Sequence, residues 1–141
     1  MYTLEEIAAL RQKCKQLRLR GAWRLDRYSN EELQVICNGI GPDAFPSGMR
    51  KFVTAIHPTL EPAAMIHDVE FEESDGMQAS FTAANDRYEE NGSICAEAEY
   101  AWYNPLRYIV KLQASRHAKT CQLCGWEHYR EIGESNVQNQ Q

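Results

Sequence analysis

Two stretches of this chain gather side chains able to do chemistry. The first is "EPAAMIHDVEF", residues 61–71, where His67 and Asp68 stand side by side among apolar neighbours. Pro62 suits a first helical position and two alanines follow it, so the stretch reads as a helix from about 60 to 73. On that helix His67 shares a face with Ala63, Ala64 and Phe71, and the two small residues let a neighbouring helix come close. Asp68 points about 100° away around the axis. One helix thus presents a base to one place and a carboxylate to another beside it. Upstream, "NGIGP" (38–42) offers backbone carbonyls for a cation and an N–H for an oxyanion.

The second stretch is "HAKTCQLCGWEH", which spaces His117, Cys121, Cys124 and His128 as HxxxCxxCxxxH. All four types bind zinc. On one uninterrupted helix the four would span about 16 Å at 1.5 Å per residue. A tetrahedral ion with bonds of about 2 Å reaches both ends only if Gly125 breaks the helix and folds His128 back. The expectation is therefore core packing of this stripe, since free cysteine is a habitual core residue. Cys37 as a nucleophile has no histidine that the sequence pairs with it, and no GxSxG pattern marks a serine nucleophile. The aromatic run "YAWYNPLRY" (100–108) is expected as core plus rim rather than as a lipid-interface belt.

Helices must position these groups, and the periodicity is helical almost throughout. Thr3 with Glu6 forms a capping box, and Ile7, Leu10, Cys14 and Leu17 mark one face until Gly21. Ser29 with Glu32 opens a second, shorter helix that stops at the glycine-containing 38–42. Ser47 begins another, ending at His57-Pro58. "SDG" (74–76) turns the chain into a helix over 77–91, capped by Asn91-Gly92. Asn104-Pro105 opens a long helix carrying Leu106, Ile109, Val110, Gln113, His117, Cys121 and Cys124 on one stripe. Residues 134–141 read as a flexible tail after a single helical domain over 1–133. No strand alternation appears, so the fold class is all-α, about six helices with little or no β structure.

The chain has 141 residues, enough for a core without staples, and a net charge of −5 that speaks against general nucleic-acid binding. The Lys and Arg residues of 11–24 suit a helix C-terminus, where the dipole favours cations. Five cysteines, an odd number, with no export signal point to reduced thiols and a cytoplasmic setting. No run is apolar for long enough to cross a bilayer.

"NGIGP" followed by "EPAAMIHDVEF" resembles the calcium loop and active-site helix of the phospholipase A2 superfamily. The likeness is to its disulfide-free forms, such as parvovirus capsid phospholipase domains and small phage-encoded proteins. The family helix reads D-x-A-A-x-x-H-D-x-x-Y, and Glu61, Ala63, Ala64, His67, Asp68 and Phe71 fall in those places. "AANDRYEEN" resembles the second helix, with Asn85 where the family has the carboxylate that orients the histidine, Asp86 one residue out of phase, and Tyr88 as the aromatic. The resemblance covers roughly residues 36–91. It implies a two-helix core and calcium-dependent hydrolysis of a phospholipid or small ester. His67 would be the base, Asn85 its orienting partner, and the Gly39 N–H an oxyanion donor. Asp68 and the carbonyls of Cys37, Gly39 and Gly41 would hold calcium. A phage or prophage protein acting in the host cytosol or carried in a particle fits that likeness. The alternative is a non-catalytic module on the same scaffold that binds a protein partner, such as a component of host defence.

Overall fold

The structure is a computed structural model that describes residues 1–39 and 56–140. The fold is all-α, and the described residues contain no strand. Among the described residues there are six α-helices: α1 (Leu4–Gln16), α2 (Asn30–Gly39), α3 (Glu61–Glu72), α4 (Gln78–Glu99), α5 (Pro105–Cys124) and α6 (Trp126–Asn139). Two 3-10 turns, Ala22–Arg27 and Pro58–Leu60, connect them. No helix is long and apolar enough to cross a membrane among the described residues. The helix expected from Ser47 lies outside the described residues.

Several helix starts follow their caps. The Thr3 hydroxyl accepts from the Glu6 N–H at 3.2 Å while the Glu6 carboxylate accepts from the Thr3 N–H at 2.8 Å. Ser29 and Glu32 repeat that exchange at 3.1 and 2.7 Å. Asn104 Oδ1 accepts from the Leu106 N–H at 3.0 Å ahead of Pro105. Lys13 and Lys15 occupy the last turn of α1, as the dipole favours.

Helix ends depart from expectation where tertiary packing overrides local signals. The first helix stops at Gln16, short of Gly21, because Arg18 adopts a left-handed φ of 52° and the chain turns there. The helix over 77–91 does not end at Asn91-Gly92 but runs on to Glu99. Both residues are buried in it. Asn91 Oδ1 accepts from the Arg20 N–H at 2.8 Å and Asn91 Nδ2 donates to the Arg20 carbonyl at 2.9 Å. One amide side chain thereby satisfies both backbone groups of Arg20 in the turn after α1. Gly92 lets α5 approach: a Cβ there would stand 2.5 Å from Ala114 Cβ. The stretch expected as a tail is helical to Asn139 and is held by Asn136, whose Nδ2 donates to the Glu72 and Ser74 carbonyls, each at 3.0 Å.

The pairs 82/122, 88/117 and 92/114 show α4 and α5 running antiparallel. α3 lies antiparallel on α4, with 67 beside 85 and 71 beside 81. α1 crosses α3, where the Cys14 thiol donates to the Pro62 carbonyl at 3.2 Å. The main core joins Ile7, Cys14, Leu33, Leu60, Met65, Ile66 and Val110. A second cluster of Phe71, Phe81, Ala84 and Tyr129 seals the α6 end.

Glycine-to-alanine inside a helix ordinarily stabilises by about 1 kcal/mol. At Gly92 the new methyl meets Ala114, a side chain with no freedom to yield. Gly92→Ala is therefore expected to destabilise by about 1–3 kcal/mol, read as a lower urea midpoint. A raised midpoint would show that α4 and α5 pack less tightly.

Candidate functional site

The site is built where α3 and α4 meet. His67 Nε2 lies 2.8 Å from Asn85 Oδ1, so the ring donates to the amide carbonyl. Asn85 is 2 % exposed and cannot leave its own N–H groups unpaired without cost. Asn85 Nδ2 donates to Gln122 Oε1 at 2.8 Å, and Gln122 Nε2 donates to Thr82 Oγ1 at 3.0 Å. A chain of amides from α4 and α5 thus sets which way Asn85 faces and which ring nitrogen of His67 carries the proton. Phe71 and Tyr88 flank the imidazole, with ring centroids 4.5 and 5.3 Å away. The Tyr88 hydroxyl in turn lies 3.0 Å from His117 Nδ1.

His67 is half-buried, and burial pushes its pKa down to about 4, against the pull of the Asn85 bond. The ring is accordingly neutral at neutral pH, with Nδ1 as its lone-pair nitrogen. Asp68, one step around α3, is also half-buried, and burial pushes its carboxyl up to about 8. It makes no ion pair or hydrogen bond among the described residues. Its charge reaches the surrounding groups: after burial itself, Asp68 is the largest influence raising Cys37 and Cys121, the latter to about 12. Burial, then Glu61, then Asp68 raise Tyr2. Asp68 is therefore within electrostatic reach of α2 and α5, and burial, with Asp68 second, holds the Cys37 thiol protonated, a poor nucleophile.

Of the expected calcium ligands, Asp68 stands on α3 and Cys37 and Gly39 on α2. Cys37 lies in the last turn of α2 and Gly39 ends it, so their carbonyls fall where helical acceptors lack an N–H partner. Gly41 lies outside the described residues. Around the second motif Gly125 does divide the helix, placing His128 on α6 rather than on the stripe with His117. His117 is buried against Tyr88, Cys121 is half-buried and Cys124 is exposed. Among the described residues no three His, Cys, Asp or Glu side chains gather to hold a metal. The expected apolar stripe is also rotated: Val110, Ala114, His117 and Ala118 face inward, while Leu106 and Ile109 face solvent. In the aromatic run Tyr100 packs against the main core, while Trp102, Tyr103 and Tyr108 are exposed.

Other members of this neighbourhood carry no local signal. Gln122 and Thr82 lie 40 residues apart and meet only because α4 and α5 are antiparallel. A separate ionic cluster also escapes the sequence. Glu70, 5 % exposed, pairs with Arg87 and lies 3.5 Å from Arg24 Nε. Glu73 takes Arg24 at 3.0 Å, Arg27 at 2.9 Å and the Tyr28 hydroxyl at 3.1 Å. Burial raises the Glu70 carboxyl while Arg87 and Arg24 hold it down. This cluster pins the 3-10 turn after α1 to α3 and α4. No protein-family model, curated protein or solved structure matches this chain.

The two shifted groups give opposite slopes of stability with pH. Below 6.5 the unfolded chain takes up a proton that buried His67 refuses, so stability falls from 6.5 towards about 4. Between about 4 and about 8 the unfolded chain releases a proton that Asp68 keeps, so stability falls as pH rises through that window. Asp68→Asn is expected to raise unfolding free energy by at least about 1 kcal/mol at pH 8 and by nothing near pH 3.5. Urea titrations at both pH values check this; an equal offset at both would remove titration as its cause.

Proposed function

We propose that the His67–Asn85 centre is the working site of a slow ester hydrolase on a phospholipase A2-like pair of helices, with phospholipid as the substrate class. The observation that carries the reading is the 2.8 Å bond from His67 Nε2 to Asn85 Oδ1, anchored through Gln122. With Nε2–H committed to Asn85, the Nδ1 lone pair is the available base. It would take a proton from a water as that oxygen attacks the ester carbonyl carbon. The imidazolium would return the proton to the departing alkoxide, leaving an alcohol and a carboxylic acid that then loses its proton to solvent. A neutral amide stabilises the imidazolium less than a carboxylate would, so turnover should be slow.

Calcium enters this reading through the sequence resemblance. The donors beside Asp68 suit it in kind, because a carboxylate and main-chain carbonyls are hard oxygen ligands. They fall short in number, since the described residues bring one carboxylate to the place. Asp68 with the carbonyls of Cys37 and Gly39 would hold the ion, and Gly41 would complete the set that the resemblance implies. When bound, calcium would polarise the ester carbonyl.

A second reading is favoured by one observation, the amide at position 85. A scaffold that has given up the orienting carboxylate suits a binding module, with a protein partner such as a host defence component and a setting in the host cytosol. Hydrolysis of short-chain phosphatidylcholine, followed by fatty-acid release with and without millimolar calcium, separates the two. The enzyme reading expects slow calcium-dependent turnover, lost in His67→Ala with unchanged helicity. It also expects a gain of about tenfold or more in Asn85→Asp. Turnover that survives in His67→Ala, or proceeds without calcium, contradicts the mechanism. Absence of turnover in both wild type and Asn85→Asp favours the binding module.

A further inference from the structure

A cleft of about 350 Å³ lies between the first half of α4, the end of α3 and the 3-10 turn after α1. Its size is that of a small-ligand site. Ala79, Ala83 and Ala84 give it an apolar wall, and Arg24, Glu70 and Arg87 line it with charge. The amide chain behind His67 takes no part in its walls.

The charged groups around this cleft are unevenly satisfied. Glu73 takes Arg24 and Arg27, and Asp75 takes the Ser80 hydroxyl and the Met77 N–H. Glu70 is only half satisfied. A guanidinium and a carboxylate that meet fork to fork make two parallel hydrogen bonds. Here Arg87 meets Glu70 through Nε and Oε1 alone. Glu70 is 5 % exposed, yet its Oε2 has no hydrogen-bond partner. Arg24 does not complete it, for its Nε lies 3.5 Å from the other oxygen, Oε1, and is itself without a partner. Neither terminal nitrogen of Arg87 bonds to a described residue. An enclosed carboxylate oxygen without a donor is costly, so a donor from outside the chain is what this place lacks.

One acceptor and one cationic fork are thus left over, held side by side by the bond between their own residues. A small molecule with a cationic donor next to a carboxylate matches both. We propose that the cleft binds a free α-amino acid with a short apolar side chain. Its ammonium donates to Glu70 Oε2, its carboxylate accepts from the terminal N–H groups of Arg87, and its side chain lies on the three alanines. Arg24 is the side chain that moves aside to admit the ammonium. The walls hold three carboxylates, Glu70, Glu73 and Asp75, against two guanidiniums, Arg24 and Arg87. A simple anion would meet the carboxylates and a simple amine the guanidiniums, whereas a zwitterion turns each end to its opposite. This site does not depend on whether His67 catalyses a reaction.

Calorimetric titration of the full chain with L-valine tests this. One molecule is expected to bind per chain. N-acetyl-L-valine lacks the ammonium and L-valinamide lacks the carboxylate, so each should bind at least about tenfold more weakly. Arg87→Lys keeps the charge but loses the fork, and should weaken valine by a similar factor. Ala79→Leu, at an exposed helical position, fills the cleft while leaving Glu70 and Arg87 in place. It should abolish binding with helicity unchanged. No binding at millimolar valine, N-acetyl-L-valine held as tightly as valine, or binding untouched by Ala79→Leu would overturn the proposal. Acetate or phosphate bound in place of valine would make the cleft an anion site and overturn it as well.

Discussion

A side-chain amide sealed between helices must satisfy both of its ends, and in this protein Asn85 meets that demand by tying three helices together. Its oxygen takes the His67 N–H from α3 and its nitrogen gives to Gln122 of α5. Losing either partner would leave a buried polar group unpaired, at about 1–3 kcal/mol. The spacing of α3, α4 and α5 is therefore fixed by hydrogen-bond lengths as well as by packing. That fixes the imidazole, for Phe71 and Tyr88 leave the ring little room to turn.

Other parts of the fold serve the same closeness. Gly92 removes a side chain where α4 and α5 touch, one turn past Tyr88 and His117. Asn91 grips the Arg20 peptide, and Glu70 with Arg24 and Arg87 holds the following turn, so α1 and its connection are braced against α3 and α4. These polar ties are buried or half-buried, and each specifies one pairing of elements where apolar contacts would tolerate several.

The helical class, the caps at Thr3, Ser29 and Asn104, and the turn at 74–76 could be read from the sequence because each rests on residues within a few positions. The His67–Asn85 pairing was legible for a related reason: two consecutive helices joined by a tight turn have few ways to lie together. Helix lengths were not. Asn91-Gly92 has the composition of a helix end, yet the partners that keep it helical, Arg20 and Ala114, are 71 residues before Asn91 and on another helix. The exposed side of α5 was misjudged because an apolar stripe gives its angle only approximately, and Ile109, at one edge of the stripe, turns to solvent while Val110, on its other side, turns inward. Gln122 could not have been found at all, since nothing near it in sequence marks it as the partner of Asn85.

The chemistry rests on which nitrogen of His67 is protonated, and that is directly measurable. Nitrogen-15 shifts of the imidazole in histidine-labelled protein distinguish an N–H from a lone-pair nitrogen. The account predicts that at pH 7 His67 is neutral, with the proton on Nε2 and Nδ1 bare, and that it does not titrate until the pH approaches about 4. A proton on Nδ1, or a midpoint near the 6.5 of a free histidine, would contradict it.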